Sequence, residues 1–159
     1  MDGIFYVFAA AFFLSFFVLT RLAERKRAAA VRALAARSGF HYLGGALPKS
    51  LTLYGTPFQS STKIWNAIDG EPRGIRVIAF DSQVGSGKHS WRRTVIAVEN
   101  DARASQVLAF IPDATIESVG NWKIIYRPKG VPLFSIFGLM PVEELESYVN
   151  SFKADAVRQ

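Results

Sequence analysis

Apolar and polar residues follow three different periods along this chain. From Ile4 to Thr20 nearly every position is apolar, with Phe5, Phe8, Phe12, Phe13, Phe16 and Phe17 spread around the helix. These 17 residues would rise about 25 Å as a helix, at the lower end of a bilayer's hydrocarbon core, and a helix apolar on every side belongs in lipid rather than on a small soluble domain. The pattern predicts a transmembrane anchor over residues 1–20. From Arg21 to Ser38 the chain is built from Ala, Arg, Leu, Glu and Lys, all good helix formers, and Gly39 is a natural stop. A basic juxtamembrane helix over 21–39 should therefore continue the anchor, either as a stalk reaching about 27 Å beyond Thr20 or lying on the headgroups.

At Phe40 the helical period gives way to alternation, punctuated by Gly, Pro, Asn and Asp about every ten residues, the signature of antiparallel strands. Strands are predicted at Lys63–Ile68, Ile75–Asp81, Trp91–Glu99, Gln106–Ile111 and Trp122–Arg127, with further ones at Phe40–Leu43, Leu51–Tyr54 and Thr115–Val119. Asp69 to Gly74 reads as a hairpin turn and Ser82 to Ser90 as a longer polar loop. Pro141, the acidic run Glu143, Glu144 and Glu146, and the apolar stripe Val142, Leu145, Val149, Phe152 and Ala156 predict a closing helix over 141–157 that caps the sheet. The fold class is α+β: a transmembrane helix running into a basic helix, then one β-rich domain over 40–159, an antiparallel sheet or a barrel-like closure of it.

Charge adds the orientation. Residues 21–37 hold Arg21, Arg25, Lys26, Arg27, Arg32 and Arg37 against the lone anion Glu24, so they carry +5 of the chain's net +6. Cations resist translocation. The expectation is an uncleaved, single-pass inner-membrane protein with its N-terminus outside and its domain in the cytoplasm. A signal peptide would instead begin with cations and end in small residues. The six cations are expected at the membrane surface, with the bilayer contacting residues 4–20 and anionic headgroups contacting the basic patch. No nucleic-acid motif accompanies the charge, so nucleic acid is not an expected partner. Cysteine is absent, which removes disulfide and thiolate chemistry.

Candidate chemistry is sparse. Gly85-Ser86-Gly87-Lys88 resembles part of a phosphate loop, but Ser82 stands where its first glycine belongs, His89 follows the lysine, and a strand rather than a helix comes next. It reads as a hairpin tip where Lys88, Arg92 and Arg93 could contact an anion. His41 and His89 have no metal-ligand spacing, and no catalytic Ser elbow is present, so no cofactor, metal or catalytic residue is expected. Asp81, at the end of an apolar strand, reads as a turn-starting Asp before a catalytic carboxylate. The apolar stretch Val131–Met140, too short and broken to span a membrane, either lines the core or offers an interaction patch of Leu133, Phe134, Ile136 and Phe137 beside Arg127 and Lys129.

The anchor, the basic helix ending Ser38-Gly39-Phe40, the string Asn66-Ala67-Ile68-Asp69-Gly70, the strand ending Ala79-Phe80-Asp81, the Gly85–Lys88 hairpin and Thr94-Val95 together resemble a group of uncharacterised bacterial membrane-anchored proteins with a small β-rich cytosolic domain. The resemblance implies organisation and no activity; Ser82, in place of an aromatic, and the segment 131–140 depart from it. Strands closed by one helix also look like a pleckstrin-homology-like domain at the level of fold. The expected function is a non-enzymatic protein-interaction or envelope-organising module with an unknown protein partner. Lipid headgroup binding is the alternative, and a hydrolase or nucleotide-handling enzyme ranks third.

Overall fold

The computed structural model describes residues 2–99, 114–127 and 138–153. The expected strand at 106–111, Lys129, the patch residues Leu133, Phe134, Ile136 and Phe137, and the helix end beyond 153 lie outside them. The fold is α+β with an open sheet. Anchor and basic segment form one unbroken helix, α1 (Asp2–Ser38). Its end is a Schellman turn: Gly39 adopts φ +70°, Phe40 donates its N–H to the Ala35 carbonyl at 2.8 Å, and Gly39 donates to Ala36 at 3.5 Å. Six strands follow: β1 (His41–Gly44), β2 (Ser61–Gly70), β3 (Val77–Val84), β4 (Trp91–Glu99), β5 (Thr115–Val119) and β6 (Trp122–Tyr126), before α2 (Val142–Ser151). They form one sheet in the order β1-β2-β3-β4-β6-β5, with every neighbouring pair antiparallel.

Both faces of this sheet are covered, which is why its central strands are apolar at consecutive positions. On one face Ile68, Val77, Ala79, Ile96, Val98 and Ile125 pack against Val31, Leu34 and Ala35 of α1 and Leu145 and Val149 of α2. On the other, Ala67, Ile78, Phe80, Val95, Ala97 and Ile124 are covered by Leu51 and Phe58 from the connection between β1 and β2. The expected strand at Leu51–Tyr54 is therefore a correction: that segment is irregular. Leu51 is buried and Thr52 exposed as alternation demands, but Pro48, Gly55 at φ +84° and Pro57 prevent ladder pairing. Residues 21–38 are likewise no projecting stalk, since Val31, Leu34 and Ala35 are at most 1 % exposed and belong to the domain's core. By contrast the first half of α1 is exposed where its side chains are described: Phe8 is 72 % and Phe13 70 % exposed, and the window from Tyr6 onward is apolar and long enough to cross a membrane.

Phe40 also fixes a neighbour. A Cβ on Gly70 would lie 2.6 Å from the Phe40 ring, so the glycine at the end of β2 lets that ring seal the corner between α1 and the sheet.

Two expectations follow. Residues 21–159 should fold in solution, whereas residues 39–159 should not, because removing α1 strips Val31 and Leu34, each contributing roughly 1.5–3 kcal/mol, from a domain of the size that holds about 5–15 kcal/mol in total. Near-UV circular dichroism and size-exclusion chromatography of the two fragments check this. Second, burial and the Glu117 carboxylate, which the Tyr126 hydroxyl bonds at 2.5 Å, push the Tyr126 phenol up to about 12. Below pH 10 the phenol is neutral in folded and unfolded chains alike. Between about 10 and 12 only the unfolded chain sheds the proton, so stability should fall through that window and should fall less in Tyr126→Phe, as read from urea midpoints across the alkaline range.

Candidate functional site

Where α1 crosses the end of the sheet, one buried carboxylate gathers four donors. Asp81 is 1 % exposed. Arg27 grips it as a fork, Nε on Oδ2 and Nη2 on Oδ1, both at 2.7 Å. Asn66 Nδ2 donates to Oδ2 at 2.9 Å and the Thr94 hydroxyl to Oδ1 at 2.8 Å. The remaining Arg27 nitrogen, Nη1, donates to the Met140 carbonyl at 2.7 Å, and the Met140 N–H donates to Thr94 Oγ1 at 2.9 Å. Tyr42 completes the network by donating its hydroxyl to Asn66 Oδ1 at 3.2 Å. The long helix α1, the strands β1 to β4 and the chain entering α2 are thus tied at one point.

Local sequence explains why each group arrives there. Glu24, Arg27, Val31, Leu34, Ala35 and Ser38 fall on one helical stripe, and Val31, Leu34, Ala35 and Ser38 are buried, so Arg27 sits on the stripe that faces the sheet. Asp81 lies opposite Thr94 on that same face. Asn66, two residues before Ile68, shares its face in the pleat and donates to Asp81 from there; a β-bulge between Trp65 and Ile68, with Asn66 at φ +53°, brings Trp65, opposite Asp81, onto the same face.

Beyond Asp81 the sheet face becomes polar, and between it and α1 lies an open groove of about 980 Å³. Lys63, Trp65, Gln83 and Arg92 form its floor; Phe16, Phe17, Thr20, Arg21 and Glu24 of α1 form its wall. Arg92 donates to Glu24 at 3.0 Å and to Gln83 at 3.2 Å, and its guanidinium lies 5.5 Å from the Trp65 ring centre. Lys63 Nζ lies 4.9 Å from the same ring, and Arg21 lies 5.0 Å from that of Phe17. The Trp65 indole N–H is buried without an acceptor among the described residues.

The six basic residues of α1 have separate fates. Arg21, Arg25 and Lys26 are exposed. Arg27 turns inward to Asp81, Arg32 lies 4.8 Å from the Tyr42 ring centre, and Arg37 pairs with Glu146 of α2 at 3.0 Å. Arg32 and Arg37 stand roughly 18 and 26 Å along the helix from Thr20. The suggested anion contacts are also parted. Lys88 is exposed at the β3–β4 hairpin, Arg92 faces α1, and Arg93 is buried, donating to the Arg92 carbonyl at 2.6 Å with its guanidinium 5.4 Å from the Trp91 ring centre. Burial pushes the Arg93 pKa down. Arg127 pairs with Glu144 of α2.

Asp81 starts no turn, contrary to expectation: β3 continues to Val84, and its side chain is fully occupied. Lys88 and His89 lie in the hairpin beyond Val84, at least about 10 Å along the strand from Asp81, so the three do not converge. Gly85–Lys88 joins two strands, as a hairpin tip does. Among the described residues no three His, Asp or Glu side chains group as metal ligands. Asn66, Thr94, Lys63 and Trp65 had escaped sequence reasoning; the visible signal was polar residues placed inside otherwise apolar strands. No family model, curated protein or solved structure matches the chain.

Removing one partner of a buried pair strands a charge, at a cost of about 3–5 kcal/mol, whereas removing both with apolar replacements is far milder. Arg27→Met and Asp81→Leu should each be strongly destabilising and the double variant less so than their sum. Urea unfolding of residues 21–159 carrying each change measures the coupling.

Proposed function

We propose that this chain is a single-pass inner-membrane protein whose cytoplasmic β-domain is a non-enzymatic recognition module, binding a protein partner or organising an envelope complex at the membrane surface. The observation that carries this reading is the unbroken α1. Its first half offers bare apolar side chains and its second half is a wall of the domain's core, so anchor and domain form one body with a set attitude. The six-to-one excess of cations after Thr20 favours a cytoplasmic domain. Asp81, the one buried carboxylate among the described residues, is spent on holding the helix, which favours binding over chemistry.

The chain's lack of cysteine makes the orientation directly measurable. In intact cells with permeabilised outer membranes, a membrane-impermeant maleimide should label Asp2→Cys and leave Lys88→Cys unlabelled until the inner membrane is opened; labelling of Lys88→Cys beforehand overturns the orientation. Photo-crosslinkers at the exposed Tyr54 and Ile116 should give a protein adduct of discrete mass in the same cells, and their failure at both positions removes the protein-partner reading.

A further inference from the structure

We propose that the groove between α1 and the sheet holds one anionic phospholipid drawn from the surrounding leaflet, its acyl chains along Phe16 and Phe17 and its phosphate between Arg21, Lys63 and Arg92. This rests on the reading that α1 crosses the bilayer. The apolar run ends at Thr20, so the wall of the groove changes from Phe16 and Phe17 to Arg21 and Glu24 within two helical turns, at the depth where a lipid changes from chain to headgroup. Such a gradient matches an amphiphile lying along the helix better than a soluble ligand.

Charge selects the class of lipid. Of the lining cations, Arg27 is neutralised by Asp81. Arg21, Lys63 and Arg92 against Glu24 leave a surplus of +2, which suits a headgroup whose only charge is its phosphate and disfavours a zwitterion that brings its own cation. Trp65 adds an aromatic floor flanked by Lys63 and Arg92, the kind of amphipathic ring that settles at the headgroup level. A volume of about 980 Å³ lies at the top of the range for small-molecule sites, which runs to roughly 1,000 Å³. The lock beneath the groove keeps its two walls apart, because Arg27 and Asp81 fix the helix to the sheet just past the floor.

The test uses the full chain in nanodiscs containing equal phosphatidylcholine and phosphatidylglycerol, released for native mass spectrometry. One phosphatidylglycerol should stay bound in preference to phosphatidylcholine. Reversing two groove charges with Arg21→Glu and Lys63→Glu should lower the apparent affinity at least about thirtyfold, the factor given by losing roughly 1 kcal/mol for each of two cations. Lys88→Glu, the same kind of change outside the groove, should leave it unaltered. Added inorganic phosphate should not displace the adduct, since the acyl chains along Phe16 and Phe17 hold it as well; displacement would mean an anion site and overturn the lipid. Equal retention by wild type and the groove variant, or no preference between the two lipids, overturns the proposal. A photo-crosslinker at Lys63 that captures protein instead of lipid does so too. Carbonate extraction of the same variants reads the anchor separately: chain left in the membrane pellet with no lipid preference sinks only this proposal, whereas chain released into the wash sinks the spanning reading beneath it.

Discussion

The union of Arg27 with Asp81 is the constraint on which the rest of this structure depends. A carboxylate placed inside a folded domain must be matched by donors or it would unfold its surroundings. Here the match comes from a helix whose other end is apolar and exposed. Burying Asp81 therefore requires α1 to lie across the sheet in one register, and α1 in that register brings Val31, Leu34 and Ala35 over Val77, Ala79 and Ile96. The same fork of nitrogens reaches Met140 and so sets where the chain enters α2. Thr94, which gives its proton to Asp81 and accepts from Met140, makes the lock a three-way joint.

Much of the architecture was legible in the periods of the sequence. β4 and β5 begin and end where alternation predicted, and α1 runs as long as its helix formers and Gly39 implied. The misreadings share a cause. Ser82 and Gln83 looked like loop because they are polar, yet they extend β3, with Gln83 on the floor of a groove and Ser82 bonding Ser61 at 2.7 Å. Leu51 and Leu53 alternated like a strand, yet alternation reports only which side faces a core and cannot report a ladder partner. The lock itself was half legible. Arg27 shares a helical stripe with buried residues, and Asp81 interrupts an apolar strand; that they meet across 54 residues is a fact of tertiary structure. Lys63 and Trp65 could not be assigned to that face, because the bulge that brings them into line with Ile68 has no sequence signature of its own.

The two faces of the sheet are protected by different means. Regular helices cover one, and an irregular segment punctuated by prolines and glycine covers the other, with Phe58 packed edge-on against Trp91 and Tyr126 at ring distances of 5.5 and 4.8 Å. Such a cover lacks the internal hydrogen bonds of a helix, so its hold depends on side chains such as Phe58 and on the cap that Thr56 gives the turn Pro57–Ser60.

That α1 comes first has a consequence for biogenesis. The ribosome makes α1 before any of the described strands, so Val31, Leu34 and Arg27 are already synthesised as β2, β3 and β4 emerge. The hydrophobic layer is thereby assembled onto a waiting template instead of searching for one. Long-range contacts ordinarily slow the folding of sheet proteins; here the helical surface on which β2, β3 and β4 pack precedes them in the chain, as does the guanidinium that Asp81 requires.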